Sequence, residues 1–197
     1  MELSYTEKFS DDDLKRIKHA IAFATKAHEH QKRRGGEPYI VHPIAVAQSL
    51  IDEFHADVDT VITGLLHDTV EDTEVTLEDI EKEFGPTIRF LVDGVTDWGI
   101  KDGRNHIADK LERAKWTKKK VMEYAEKDPR LLLVKVADRK HNMHTVDRYT
   151  PSGQYGYSQD TLGFHVPIAR RLGFTKEADE LETMCLAFIN KWKHHER

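Results

Sequence analysis

The sequence predicts an all-α protein, and three observations predict it. Strand signals are nearly absent from its 197 residues. Apolar residues recur mostly at spacings of three and four, the period of a helix with one buried face. Acidic and hydroxyl residues, prolines and glycines fall where helices start and stop. A chain of this length suits one compact domain, residues 1–197, with a real hydrophobic core.

Composition narrows the partners. A formal charge of −5 argues against a general nucleic-acid binder, which is usually basic, while leaving room for a local cationic pocket. One cysteine, Cys185, excludes an intramolecular disulfide and a cysteine-based zinc site. The polar N-terminus, with Asp11, Asp12 and Asp13 together, does not resemble a signal peptide. No apolar run approaches the length of a membrane span. The expectation is a cytoplasmic protein without a membrane or nucleic-acid partner, compatible with an oligomer.

The elements follow in order. Helix 1 begins near Asp11 to Asp13, where carboxylates suit the positive end of the helix dipole, and runs to about His30. Leu14, Ile17, Ile21 and Ala24 form its buried face. Gln31 to Tyr39, with two glycines and a proline, reads as a loop. Its Arg33-Arg34 pair is a candidate phosphate clamp, though charge alone favours a solvated basic turn. Pro43 fits the first turn of a second helix, from His42 to about Phe54, with His42 at its entrance. Helix 3 starts near Asp57 to Asp59. Thr76-Leu77-Glu78-Asp79 is a capping box with Asp in place of Glu, opening a short helix that Gly85 ends. Another helix follows Pro86, carrying Ile88, Leu91, Val92 and Val95.

Trp98 to Asn105 reads as a loop, and the stretch beyond it to Lys127 is highly charged. Lys118-Lys119-Lys120 reads as a wet helical face able to attract anions. Asp128-Pro129 supplies an N-cap and first-turn pair. The helix they start, through Leu131 to Ala137, is apolar almost all round and therefore central. It delivers Asp138, a carboxylate after a buried run, which favours a metal or arginine partner over solvent. Tyr149 to Tyr157 reads as a tyrosine-rich loop. Two helices close the chain, about Ser158 to Leu172, kinked at Pro167, and Thr175 to Trp192, with Gly173 as the stop between them.

The chemistry gathers at Leu65-Leu66-His67-Asp68-Thr69-Val70-Glu71-Asp72. On a continuous helix, His67 and Glu71 are i and i+4, as are Asp68 and Asp72. Three crowded carboxylates repel one another, and a divalent cation turns that repulsion into attraction. With His42 and Asp138 the set has nitrogen and oxygen donors and no thiolate. That suits Mn²⁺, Fe²⁺ or Zn²⁺, with the carboxylates leaning toward Mn²⁺. Such a cation acidifies water into a nucleophile near neutral pH, and Glu71 is placed to orient it or take its proton. Spacing alone leaves a second reading open: two buried histidine–carboxylate hydrogen bonds beside an acidic surface turn.

The separate His42, the His67-Asp68 doublet and Asp138 resemble the HD superfamily of phosphohydrolases. More narrowly, six ordered blocks resemble the hydrolase domain of RelA/SpoT proteins: Gly36 to Pro43, Leu66 to Thr73, Phe84-Gly85, Val92 to Thr96, Val136 to Met143 and Ala169 to Gly173. The likeness covers about residues 20–174. It implies a single helical HD domain that removes pyrophosphate from the 3′ position of guanosine tetra- and pentaphosphate alarmones with one Mn²⁺. The chain is too short for the synthetase and regulatory domains of long members, so the expectation is a stand-alone small alarmone hydrolase of the metazoan SpoT type.

Carried over, the resemblance makes His42, His67, Asp68 and Asp138 the metal ligands. Glu71 and Asp72 match the catalytic acidic pair, Glu71 for activating water and Asp72 for holding the reacting phosphate region. Arg33 and Arg34 fall where members place basic residues against the nucleotide, and Asn142 and Thr145 match positions near the ribose and the 5′ side. Gly35 stands where many members have serine, and His144 where many have arginine, which replaces a permanent cation by a titratable one. The segments 98–127 and 149–157 do not match closely, so adenosine alarmones or NADPH stay open as substrates. The alternatives are an HD-domain phosphatase of another nucleotide and a module that binds alarmone without cleaving it.

Overall fold

The computed structural model describes residues 8–97 and 110–195. Among them the backbone is helical, and the one extended feature is an isolated bridge between Lys32 and Pro38. The chain forms two compact units, one up to Val134 and one from Lys135.

The first unit is built around α3, Val58–Leu66, whose residues Thr60 to Leu66 are all buried. α1, Asp11–Ala27, and α2, Val41–Asp52, pack against it, as does α6, Pro86–Val95. α5, Leu77–Phe84, and α7, Lys110–Ala125, cover α6. α1 is capped by Ser10 in a box with Asp13, and α5 by Thr76 in a box with Asp79, so the Asp variant of that motif works. Gly85, at φ +88°, makes the junction between α5 and α6, a left-handed conformation that a side chain would strain.

α3 meets α2 closely where Gly64 has no side chain. A Cβ there would stand 2.5 Å from Leu50 Cδ1, so the Leu50 side chain would have to shift, while the α2 backbone at Ala47 Cα would lie at an ordinary 3.8 Å. That approach lets the start of α2 and the end of α3 share one site.

α3 stops at Leu66. His67 and Asp68 form a turn, with backbones still in the right-handed helical region, ahead of the single helical turn α4, Thr69–Asp72. The expected uninterrupted helix is therefore broken at the doublet. Two side chains compete for carbonyls there: Thr69 Oγ1 donates to Leu66 O, and the His67 ring bonds Gly64 O, each at 2.7 Å.

α7 corrects the wet-face reading in part. Lys120 is largely buried and bonds the Asp93 carboxylate at 2.9 Å and the Thr96 carbonyl at 3.3 Å, while Tyr124 OH donates to Asp93 at 2.8 Å. Lys119 stays exposed. The expected loop Trp98 to Asn105 lies outside the described residues.

α8, Arg130–Met143, begins in the first unit and ends in the second. Asp128 accepts from the Arg130 backbone N–H at 3.1 Å, the expected N-cap bond. Leu131, Leu132, Val134, Val136 and Ala137 are buried, as their continuous apolarity predicts.

In the second unit α8 leads through a 3-10 turn, Val146–Arg148, to α9, Pro151–Asp160, a π-helical stretch, Thr161–His165, then α10, Val166–Arg171, and α11, Thr175–His195. α11 packs on α9, the π stretch and α10. Residues 151–157 are thus helix, against the loop reading. Thr150 caps them by accepting from Gly153 N–H, Pro151 supplies the first turn, and packing on α11 overrides two glycines. Pro167 is accommodated by the π turn, in which Val166 N–H reaches back to Thr161 O. Cys185 is buried on α11, and burial pushes its thiol up to about 11. Among the described residues no helix is long and apolar enough to cross a membrane.

Arg130 also ties the starts of two helices. Its guanidinium bonds Asp128 at 2.7 Å and Asp57, the cap of α3, at 2.8 Å. Burial pushes the Asp57 carboxyl up, but hydrogen bonds from Thr60 and Arg130 outweigh it and hold it below the usual range. The Arg130 hydrogen bonds do the same for Asp128. Carboxyls held low contribute stability above their unfolded value of about 3.9, and lose it as pH falls through the lower folded value. Arg130→Met should therefore move the acid-unfolding midpoint, followed by circular dichroism from pH 7 to 2, to higher pH. An unmoved midpoint would show that the tie adds nothing.

Candidate metal centre and acidic turn

α2 brings in His42, 1% exposed, in its first turn, and the end of α3 brings in His67, 6% exposed. A ligating nitrogen of one ring lies within 4.8 Å of one on the other, and the ring centroids are 5.1 Å apart. The His67 Nδ1 can only donate to the Gly64 carbonyl, 2.7 Å away. In the neutral ring Nε2 then carries the lone pair, and it stands 3.1 Å from Asp68 Oδ1. His42 Nε2 is 3.5 Å from Asp68 Oδ2.

A lone pair facing a carboxylate oxygen at that range repels unless positive charge lies between them. The charge is either a ring proton, giving the buried histidine–carboxylate pair, or a cation. The donor set, two imidazoles and a carboxylate with no sulfur, fits a divalent cation of borderline or hard character. The carbonyl that orients His67 is the kind of partner that fixes a ligand's tautomer.

The acidic turn does not form one strip. Asp68 and Asp72 share a partner that the sequence pattern does not reveal: Tyr39 OH stands 2.8 Å from an Oδ2 of each and can donate its one proton to either. Burial, then the two carboxylate charges, raise the Tyr39 hydroxyl far above an ordinary phenol, so it stays a donor. Glu71 instead accepts from the Asp97 backbone N–H at 3.0 Å, at the end of α6. Tyr39 is legible as a residue of the Glu37-Pro38-Tyr39 block three before His42. The Asp97 amide is not, because a backbone donor has no residue type.

Around Tyr39 a small platform forms. Its ring stacks on His28 at 4.6 Å and 20°, and its N–H bonds Gln31 O at 3.1 Å. His28 Nδ1 is 2.7 Å from Gln31 Oε1, and the Gln31 amide donates to the Asp72 carbonyl. Arg33 places its guanidinium carbon 5.8 Å from the Tyr39 ring centroid, while Arg34 is exposed. Arg33 is thereby set beside the acidic turn's partner.

Asp138 and Asn142 lie one turn apart on α8 in the second unit, where Asn142 Nδ2 donates to Asp138 Oδ1 at 2.6 Å. Thr145 follows the helix, its hydroxyl donating to Asn142 O at 3.1 Å. Asn142 thus has an orienting bond to the expected ligand, which its i, i+4 spacing from Asp138 on one helix would have shown.

The HD-domain family profile matches residues 20–175. The chain belongs to the HD-domain family. This HD domain is 38% identical over 174 residues to the bifunctional (p)ppGpp synthase/hydrolase SpoT of Escherichia coli K12, a match covering 88% of this chain and 24% of that one. It is 38% identical over 179 residues to a GTP pyrophosphokinase of Myxococcus xanthus, covering 91% and 23%. The chain spans about a quarter of the length of these curated relatives. Among solved structures, a metazoan orthologue of SpoT, described as hydrolysing ppGpp, matches with a TM-score of 0.68 at 26% identity, over 93% of this chain and 97% of that one. The RelA/SpoT resemblance read from the six blocks therefore holds.

The ligand assignment has a direct check. His42→Ala and His67→Ala should each abolish high-affinity Mn²⁺ binding in calorimetry, while Asp72→Asn keeps it. Retained binding in either histidine variant would leave the hydrogen-bonded pair as the correct account.

Proposed function

We propose that this HD domain is a cytoplasmic, Mn²⁺-dependent 3′-pyrophosphohydrolase of nucleotide alarmones, converting (p)ppGpp to GDP or GTP and pyrophosphate, with the adenosine alarmones as further substrates. One observation carries the reading: two buried imidazoles converge on Asp68, His67 through Nε2 at 3.1 Å while its Nδ1 is taken by the Gly64 carbonyl, and His42 through Nε2 at 3.5 Å. Similarity to SpoT-type proteins, some named as hydrolases of this bond, supports it.

His42, His67, Asp68 and, from α8, Asp138 would hold one Mn²⁺. When bound, the ion supplies Lewis acidity, which makes water nucleophilic at neutral pH and offsets phosphate charge. Glu71, with its carboxylate steadied by the Asp97 amide, takes the proton of the attacking water. The water oxygen bonds to the phosphorus next to the ribose 3′-oxygen. The P–O3′ bond breaks with its electron pair going to the 3′-oxygen, which takes up a proton equivalent to the one Glu71 removed, and pyrophosphate is released. Asp72 holds the reacting phosphate region through water. Arg33 and Arg34 receive the charged end of the nucleotide, and Asn142 and Thr145 lie at the ribose and the 5′ side.

Removing a general base costs about 10²- to 10⁴-fold in rate. Glu71→Gln should lower kcat by that order while nucleotide and Mn²⁺ affinities stay within about twofold, read by calorimetry; unchanged turnover would remove Glu71 from its role. Incubating the Mn²⁺-loaded protein with guanosine and adenosine alarmones and with NADPH should release pyrophosphate from the alarmones. Orthophosphate as the product would favour the nucleotide phosphatase. Tight binding without any product would favour the sensing module.

A further inference from the structure

Tyr39 touches both a proposed metal ligand and a proposed catalytic acid. Its hydroxyl has one proton and, at 2.8 Å on either side, two carboxylate acceptors, Asp68 Oδ2 and Asp72 Oδ2. Only one of them is served at a time. The ring cannot drift to favour either. It is stacked on buried His28, set edge-on to His42 with centroids 6.2 Å apart, and held by its own N–H on Gln31 O. Gln31 also donates to the Asp72 carbonyl, so the acidic turn and the ring share one mount.

We infer that Tyr39 is a positioning residue that couples the two carboxylates: its single proton moves from Asp68 to Asp72 when Asp68 gives its electron density to a cation. This rests on the metal-centre reading above. Without a cation, Asp68 is the more buried and needier acceptor, its side chain 17% exposed against the solvent-facing Asp72. With its density drawn away, Asp68 becomes the poorer acceptor, and the hydroxyl turns to Asp72 without the ring moving. Asp72, on the exposed side of the turn, is then fixed beside the reacting phosphate only when the site is loaded. The hydroxyl also fixes the direction in which Asp68 presents its oxygens, as partners of metal-ligating carboxylates do.

The test is Tyr39→Phe in the full chain, which keeps the ring and its stacking and removes only the oxygen. Loss of such a partner typically costs about 10- to 100-fold in metal affinity or activity. Calorimetric titration of the metal-free protein with Mn²⁺ should show a Kd raised about tenfold or more. At saturating Mn²⁺, kcat should fall by a similar factor with KM for the nucleotide within about twofold, because Asp72 is loosened rather than removed. A merely structural role would lower the melting temperature of the metal-free protein and leave the Mn²⁺ Kd of the folded fraction alone. A second variant, Gln31→Met, keeps the hydroxyl and frees the mount, and should raise the Mn²⁺ Kd by a smaller factor. Mn²⁺ affinities within about twofold of the natural protein in both variants would overturn the inference. The titration needs no substrate, so its outcome is separate from the fate of the alarmone reading, whose failure would show as no product from the natural protein at saturating Mn²⁺.

Discussion

Everything at this site follows from the surroundings of Asp68. Its two oxygens face two buried imidazole nitrogens and a phenol, and the nearest nitrogen presents electrons rather than a proton when its ring is neutral. Buried electron pairs converging in this way cost free energy unless positive charge joins them. A fold gains nothing from building such a cluster for stability alone, since apolar packing of the same volume does as well or better. The cluster makes sense as the receiving end of a cation.

The scaffold serves that convergence. α3 is buried along nearly its whole length, an expensive approach to a histidine and an aspartate, and Leu50 of α2 packs its side chain into the space that Gly64 leaves open. The regular helix then stops where the chemistry starts, and His67 and Asp68, with backbones still in the helical region, face His42 and Tyr39. α6 contributes from the other side through a main-chain amide on Glu71, and its end is itself anchored by Lys120. Asp68 therefore faces two imidazoles and a phenol, Asp72 the same phenol, and Glu71 a peptide amide, although all three carboxylates lie within five consecutive residues.

Much of this is legible in the sequence, for a physical reason. Histidines and aspartates are conspicuous beside apolar runs, so His42, His67, Asp68 and Asp138, the residues proposed as ligands, stand out against a background in which most positions need only be apolar or polar. Helix starts are equally plain at Thr76 and Asp128, where a cap is a local hydrogen bond between near neighbours, and the start near Asp11 is readable from its carboxylates although its cap is Ser10. The failures share the opposite character. Residues 151–157 look like a loop because glycine and proline are weighed locally, whereas α11, far along the chain, decides their fate. Lys120 sits in a run of three identical residues, and only the position of Asp93 on another helix separates it from its neighbours. Glu71 can be assigned a role but not a partner, because that partner is a peptide N–H. Tyr39 is visible as part of a motif, and its double duty is not, since it depends on two carboxylates meeting across a turn.

The Gly64 position does two unrelated things. Its missing side chain leaves room for the Leu50 methyl of the neighbouring helix, and its carbonyl oxygen decides which nitrogen of His67 bears hydrogen. The first can be undone by a single base change in the gene. The second cannot, because every amino acid placed there brings the same oxygen. Divergence can widen, narrow or recharge the surroundings of that imidazole, but the atom it offers outward is inherited from the polypeptide backbone itself.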